Sequence, residues 1–148
     1  MSLSVEENRA VCHRFFEEVL NKKDMVVLDE IVHPDFIDNN PYAPAIKSKF
    51  AKPSLGKEGL KQYLSSANSA FPDWHFTVED TIAEGDKVVL RFAAGGAHQG
   101  EFLGIPTTGK RVKITGVYIL RLADGKIVEK WVNPDLLLMM QQLGAFPC

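Results

Sequence analysis

Two hydrophobic periodicities divide this chain, and they do not alternate. Up to about residue 70 the apolar residues recur at helical spacing; beyond Trp74 they recur at every second position. Laying helices down first and strands afterwards excludes the repeating units of a parallel α/β sheet. The expected fold class is α+β: a cone-shaped, curved antiparallel sheet, with the N-terminal helices packed on its concave face and a pocket between them. The 148 residues are expected to form one domain, 1–148. A chain of this size buries roughly two thirds of the surface it exposes when unfolded, so it needs no disulfide or metal to fold.

The local signals fill in this outline. Ser4 and Glu7 form a capping box for a helix running to about Asn21, with Val11, Phe15 and Val19 on its buried face. Asp24 caps a short second helix carrying Leu28, Ile31 and Val32, which Pro34 ends. Residues 35–38 read as a short strand. Residues 39–56 are punctuated by Pro41, Pro44, Pro53 and Gly56 and read as a long loop, a common form for a lid. A third helix is expected over 57–70. Strands follow over 74–83, 87–98, 110–122 and 126–133, then a final helix over 136–143 closed by Gly144. Asp124-Gly125 is a two-residue hairpin turn.

That turn predicts which side chains face inward. With Ala123 opposite Lys126, an unbroken ladder sets Leu122 against Ile127, Leu120 against Glu129, Tyr118 against Trp131 and Gly116 against Asn133. Tyr118, Trp131, Asn133 and Asp135 then share the pocket face, joined by Phe92 and His98 from the preceding strand. Either Trp74 or His75 is expected to reach the pocket mouth. The other face would carry Val117, Ile119, Arg121, Val128, Lys130 and Val132, with Val89 and Ala93 beyond. This face is too apolar for water, so a homodimer formed through it is expected. One shifted residue would turn the whole set outward.

Charge and composition exclude several classes. Seventeen basic and nineteen acidic residues give a net charge of −2, with no basic footprint for nucleic acid and no polybasic membrane anchor. No apolar run approaches the roughly 18 residues a membrane span needs. The polar, acidic N-terminus is unlike a signal peptide, and a cytoplasmic protein is expected. Cys12 reads as a small core residue and Cys148 as a terminal thiol. The four histidines are scattered without ligand spacing, so no metal and no cofactor are expected. The implied partner is a small apolar or weakly acidic organic molecule.

The run from Ala97 to Gly109 (Ala97-His98-Gln99-Gly100-Glu101-Phe102-Leu103-Gly104-Ile105-Pro106-Thr107-Thr108-Gly109) resembles a signature of the SnoaL-like polyketide cyclases, or ester cyclases. So do Phe71-Pro72-Asp73, the Glu84-Gly85-Asp86 turn, and the ending from Arg121 through Asp124-Gly125-Lys126-Ile127, Glu129, Trp131 and Pro134-Asp135 to Gln142-Leu143-Gly144. The resemblance covers nearly the whole chain. It implies a nuclear-transport-factor-2-like cone, cofactor-free and dimeric. It further implies Asp135 as general base for an intramolecular aldol ring closure, His98 as hydrogen-bonding partner, and Asn39 (or Asn40) as a substrate contact. The chain departs from the family pattern at Ala97, where threonine is usual, and at Thr107, where proline is usual.

Asp135 follows a proline and precedes an apolar run, so it also reads as an N-cap. Two other functions fit the same fold. One is a non-catalytic binding protein. The other is an isomerase, dehydratase or epoxide hydrolase, which would need a second acid; only Glu129 offers one, and Arg121 competes for it.

Overall fold

A computed structural model describes residues 4–39 and 56–145. The sequence-based expectations for the 39–56 loop, Asn40 and Cys148 fall outside that range, save for Asn39 and Gly56. Helix α1 (Val5–Arg14) runs into a π-helical stretch, Phe15–Asn21. Then come α2 (Met25–Ile31), β1 (Val32–Asn39), α3 (Gly56–Ala70), β2 (His75–Glu84), β3 (Lys87–Ala97), β4 (Arg111–Ala123), β5 (Lys126–Pro134) and α4 (Leu136–Leu143). One five-stranded sheet has the order β1-β5-β4-β3-β2. It is curved and does not close, and the fold is α+β.

The caps follow from the sequence. The Ser4 hydroxyl accepts from the Glu7 N–H at 3.1 Å, and Asp24 Oδ1 accepts from the N–H groups of Val26 and Val27 at 3.0 and 3.2 Å. Each satisfies donors that the helix itself leaves unpaired. Asp124 and Gly125 both have positive φ, 51° and 78°, as the tight hairpin turn requires.

Three features depart from expectation. First, β1 is longer than its 35–38 core and runs parallel to β5, with Asp38 beside Lys130 and Asn39 beside Trp131. Pro34 follows the α2 C-cap, Val32, by two residues and lies within this edge strand, where a missing N–H is tolerated. Second, β2 carries an extra residue at Glu79: Val78 pairs with Phe92 but Asp80 with Arg91. Phe76 and Val78 pack against the core, but beyond the extra residue Ile82 is turned out and is 66% exposed.

The third departure has the largest consequence. Leu122 pairs with Ile127, yet Arg121 pairs with Glu129, so Val128 is a bulge. From there Tyr118 faces Val132, Ile119 faces Trp131 and Val117 faces Asn133. The inward residues of β5 are therefore Ile127, Lys130 and Val132, all buried. Trp131 and Asn133 lie on the outer face. The unbroken ladder had them inward, and one added residue reverses them.

The core fills the space between the helices and the concave face. Phe15, Phe16, Val19 and Leu28 meet Val88, Leu90, Phe92, Leu120 and Ile127 there. Cys12 is buried among them, which pushes its thiol up to about 12 and leaves it unreactive. At Gly116 a Cβ would sit 2.6 Å from Phe92 Cζ and 2.9 Å from the backbone of Pro134. The missing methyl lets the Phe92 ring cross over β4. On the outer face, the β-ladder lines up Ile82, Val89, Ile119 and Trp131 across four strands.

Candidate active-site cleft

Between α3, α4 and the concave sheet lies an apolar cleft open to solvent. Helix α3 contributes Tyr63, Leu64, Ala67 and Asn68; its apolar side repeats at helical spacing and turns toward the sheet. Strands β2, β3 and β4 contribute Phe76, Phe92, Ile114 and Tyr118, and the chain around α4 adds Val132, Pro134, Leu136 and Met139. Phe71, Trp74 and Phe102 complete the wall. The rings brace one another: Phe71 and Trp74 have centroids 4.9 Å apart, Phe76 and Phe92 5.2 Å, and Phe92 and Tyr118 5.4 Å. Rings held at these tilted contacts, with interplanar angles of 55–58°, keep a shaped apolar surface without collapsing onto it.

Two polar ties hold this wall. The Asn21 side chain donates to the Phe76 carbonyl at 2.9 Å and accepts from the Phe76 N–H at 2.8 Å, fixing the start of β2 to the helical layer. Asp73 Oδ1 accepts from the Ala97 N–H at 2.8 Å, and Oδ2 meets Arg111 at 3.1 Å. The Ala97 N–H, then Arg111, hold the Asp73 carboxyl below its ordinary range.

The expected site residues divide into three groups. Phe92, Tyr118 and Trp74 are on the cleft wall. Trp131, Asn133 and Asn39 are not. The bulge turns the first two outward. The parallel pairing of β1 turns Asn39 outward as well, where its amide donates to Glu129 Oε2 at 3.0 Å and to the Lys130 carbonyl at 3.1 Å.

Asp135 and His98 lie just behind the wall. Asp135 is exposed and caps α4, its Oδ1 accepting from the Leu138 N–H at 3.0 Å. Its neighbours Pro134 and Leu136 line the cleft; its own carboxylate does not. His98 is fully buried and stacks on Phe71 at 5.2 Å. Its Nδ1 accepts from the Thr108 N–H at 3.2 Å, so the ring proton belongs on Nε2, which is buried without a hydrogen-bond partner among the described residues. Burial lowers the His98 pKa and keeps the ring neutral. Neither side chain is among the described residues that line the cleft, and no carboxylate is, although Pro134, Leu136 and Phe71 beside them are.

One charged group on the inner face escaped the sequence reading. Lys130 is only 1% exposed, and its ammonium lies 3.2 Å from Asp38 Oδ2. It also stands over the rings of Tyr63 and Tyr118, 5.3 and 5.4 Å from their centroids. Asp38 Oδ1 is buried with no hydrogen-bond partner among the described residues. Burial, then the Asp38 charge, raises the Tyr118 pKa, so its hydroxyl stays a proton donor. The sequence signal was the pair Arg121 and Glu129: opposed charges meeting at 3.0 Å call for a register one residue away from that of the turn.

Among the described residues no helix is long and apolar enough to cross a membrane, and no cluster of candidate metal ligands occurs.

Comparison with known proteins places this geometry. The SnoaL-like polyketide cyclase family model matches residues 10–143. The chain is 37% identical over 116 residues to the aklanonic acid methyl ester cyclase DnrD of Streptomyces peucetius, covering 78% of this chain and 72% of the relative. It is 27% identical to the nogalonic acid methyl ester cyclase of Streptomyces nogalater, covering 79% and 83%. Among solved structures, TsrD from Streptomyces laurentii superposes with a TM-score of 0.82 at 29% identity, over 97% of this chain and 99% of the other.

Proposed function

Since the chain belongs to the SnoaL-like polyketide cyclases, we propose that it closes a ring in a small, flat, largely apolar ester by a cofactor-independent, aldol-type reaction inside the aromatic cleft. The carrying observation is the cleft wall itself: seven aromatic side chains (Tyr63, Phe71, Trp74, Phe76, Phe92, Phe102 and Tyr118) bound one concave space. Such a surface suits a planar polyketide and excludes water from a developing enolate. A C–H between two carbonyl groups is acidic enough for a carboxylate to remove, leaving position and hydrogen bonding as the protein's contribution.

In this reading Phe92, Tyr118 and Trp74 contact the substrate. Asp135, between the lining residues Pro134 and Leu136, serves as the general base, and His98, stacked on Phe71, as its hydrogen-bonding partner. Asp135 anchors the first turn of α4 and so sets Leu136 and Met139; His98 backs Phe71. The test is incubation of the purified chain with aklanonic acid methyl ester, the compound named for two of its relatives. The expected product has unchanged mass and altered chromatographic retention. Neither binding nor turnover of this or the nogalonic ester would overturn the reading.

The lack of a described carboxylate on the wall favours one second reading, a non-catalytic carrier of the same ligands. Saturable binding without any new isomer would establish it.

We also propose a homodimer through the outer sheet face, where Val89, Ile119 and Trp131 form a half-buried row that no described residue covers. Sedimentation is expected to give twice the chain mass, and Ile119→Glu the single mass. A monomeric unsubstituted chain at micromolar concentration would refute the dimer.

A further inference from the structure

We propose that Asn68 sets the substrate specificity of the cleft: its carboxamide holds a ring oxygen, a phenolic hydroxyl or a ring carbonyl, of an aromatic polyketide ester. This rests on the cyclase reading above and goes beyond it by naming the group that selects the substrate.

Helix α3 carries the first observation. Its inward stripe runs through Leu60, Leu64 and Ala67 to Phe71, just past the helix end. Asn68 falls on that stripe, four residues after Leu64 and three before Phe71, and lines the cleft with both. Helical periodicity calls for a leucine or an alanine at this position. Asparagine is a weaker helix former than either and gives up apolar contact. Patterns are broken in this way where function needs the group that breaks them.

The second observation concerns partners. The Asn21 side chain both donates to and accepts from the Phe76 backbone, and so ties two elements together. The Asn68 side chain has no hydrogen-bond partner among the described residues, so it fastens nothing. The rings of Tyr63 and Tyr118 lie beneath the Lys130 ammonium. Among the described residues of the wall, Asn68 carries the one amide. Its Nδ2 donors and Oδ1 acceptor are left for a ligand. In an apolar pocket a few such groups fix the orientation of the guest.

The surroundings decide which part of a guest belongs there. Asn68 also lines a second hollow, with Lys23, Lys61, Ser65 and Ser69. Lys61 is paired with Asp29 at 2.7 Å, and Lys23 donates to the Pro72 carbonyl. The amide therefore stands where an aromatic space meets a polar one. A ring edge that carries oxygen fits this junction without being sealed in hydrocarbon. A bare ring edge gains nothing from it and leaves the amide unpaired. Asp135 heads α4 and Asn68 belongs to α3, so base and amide meet separate parts of one molecule.

The test uses two probes that differ by one oxygen: a naphthyl β-keto methyl ester, and its counterpart with a hydroxyl on the far ring. Binding to the full chain is measured by calorimetry. The hydroxylated ester should bind about five- to tenfold more tightly, the worth of one hydrogen bond in an apolar site. In Asn68→Leu the two dissociation constants should come within about twofold of each other, with that of the unhydroxylated ester changed less than about threefold. Asn68→Ala, which adds no bulk, should level them in the same way. The thermal midpoint of Asn68→Leu should not fall, because the amide has no partner to lose. A preference kept in both variants overturns the assignment, as does a lower midpoint with equal weakening of both esters. Aklanonic acid methyl ester turned over by an unsubstituted chain that shows no preference between the probes overturns this inference alone. Binding of neither probe, with that ester left unchanged, overturns the cyclase reading and the inference together.

Discussion

The two faces of the sheet are built to different standards. The inner face of β4 and β5 buries Val112, Ile114, Tyr118, Leu120, Leu122, Ile127, Lys130 and Val132. The outer face leaves Val117, Ile119 and Trp131 partly open, and its charges are paired at the surface: Arg121 with Glu129, and Arg91 with Asp80. A charge inside must be matched by a fixed partner; a charge outside is shared with water. The Val128 bulge decides which residues of β5 meet which standard, because each residue beyond it changes sides.

The inner face should fail first and hardest. Lys130→Met leaves the Asp38 carboxylate buried without its cation and is expected to cost about 3–5 kcal/mol, measured by urea denaturation. A loss below about 1 kcal/mol would mean that water reaches the pair and that the faces differ less than their burial suggests. Next is Gly116→Ala, which drives a methyl into Phe92 and the Pro134 backbone. Overpacking of this kind costs about 1–3 kcal/mol, and it should also weaken ligand binding because Phe92 is wall. At the rim of the sheet, Asp135→Ala removes the α4 cap and should cost about 1 kcal/mol; Asp135→Asn, which can still cap, should restore most of it.

The smallest effect belongs to the outer face. The Asn39 amide, then Arg121, hold the Glu129 carboxyl below its ordinary pKa. The stabilisation is therefore fully present above the unfolded value of about 4.3 and fades as pH falls through it toward the depressed folded value. Glu129→Gln should make the acid limb of a stability–pH curve shallower and leave neutral pH nearly unchanged. An identical acid limb would show that this pair adds nothing measurable.

Much of this was legible in the sequence. The segregation of periodicities gave the architecture, Asp124-Gly125 gave the turn, and Ser4, Asp24 and Gly144 gave helix ends. All are local signals that chemistry within a few residues determines. The aromatic wall was legible only through Phe92, Tyr118 and Trp74, whose parity is set before any bulge intervenes. What escaped was non-local. A bulge occupies one position and is chosen by partners across the ladder, here Arg121 seeking Glu129. The parallel pairing of β1 joins residues some ninety positions apart, and neither Asp38 nor Asn39 carries a mark of which side it will face. The N-cap reading of Asp135 was available from its own neighbours, and its geometry is that of the cap.

Gly116 has one more consequence. Its absent side chain lets the Phe92 ring, part of the cleft wall, lie against the β4 backbone, so a carbon here would press that ring toward the space left for a guest. Relatives with a larger residue here should accept thinner or shorter molecules, whatever the rest of the wall contains.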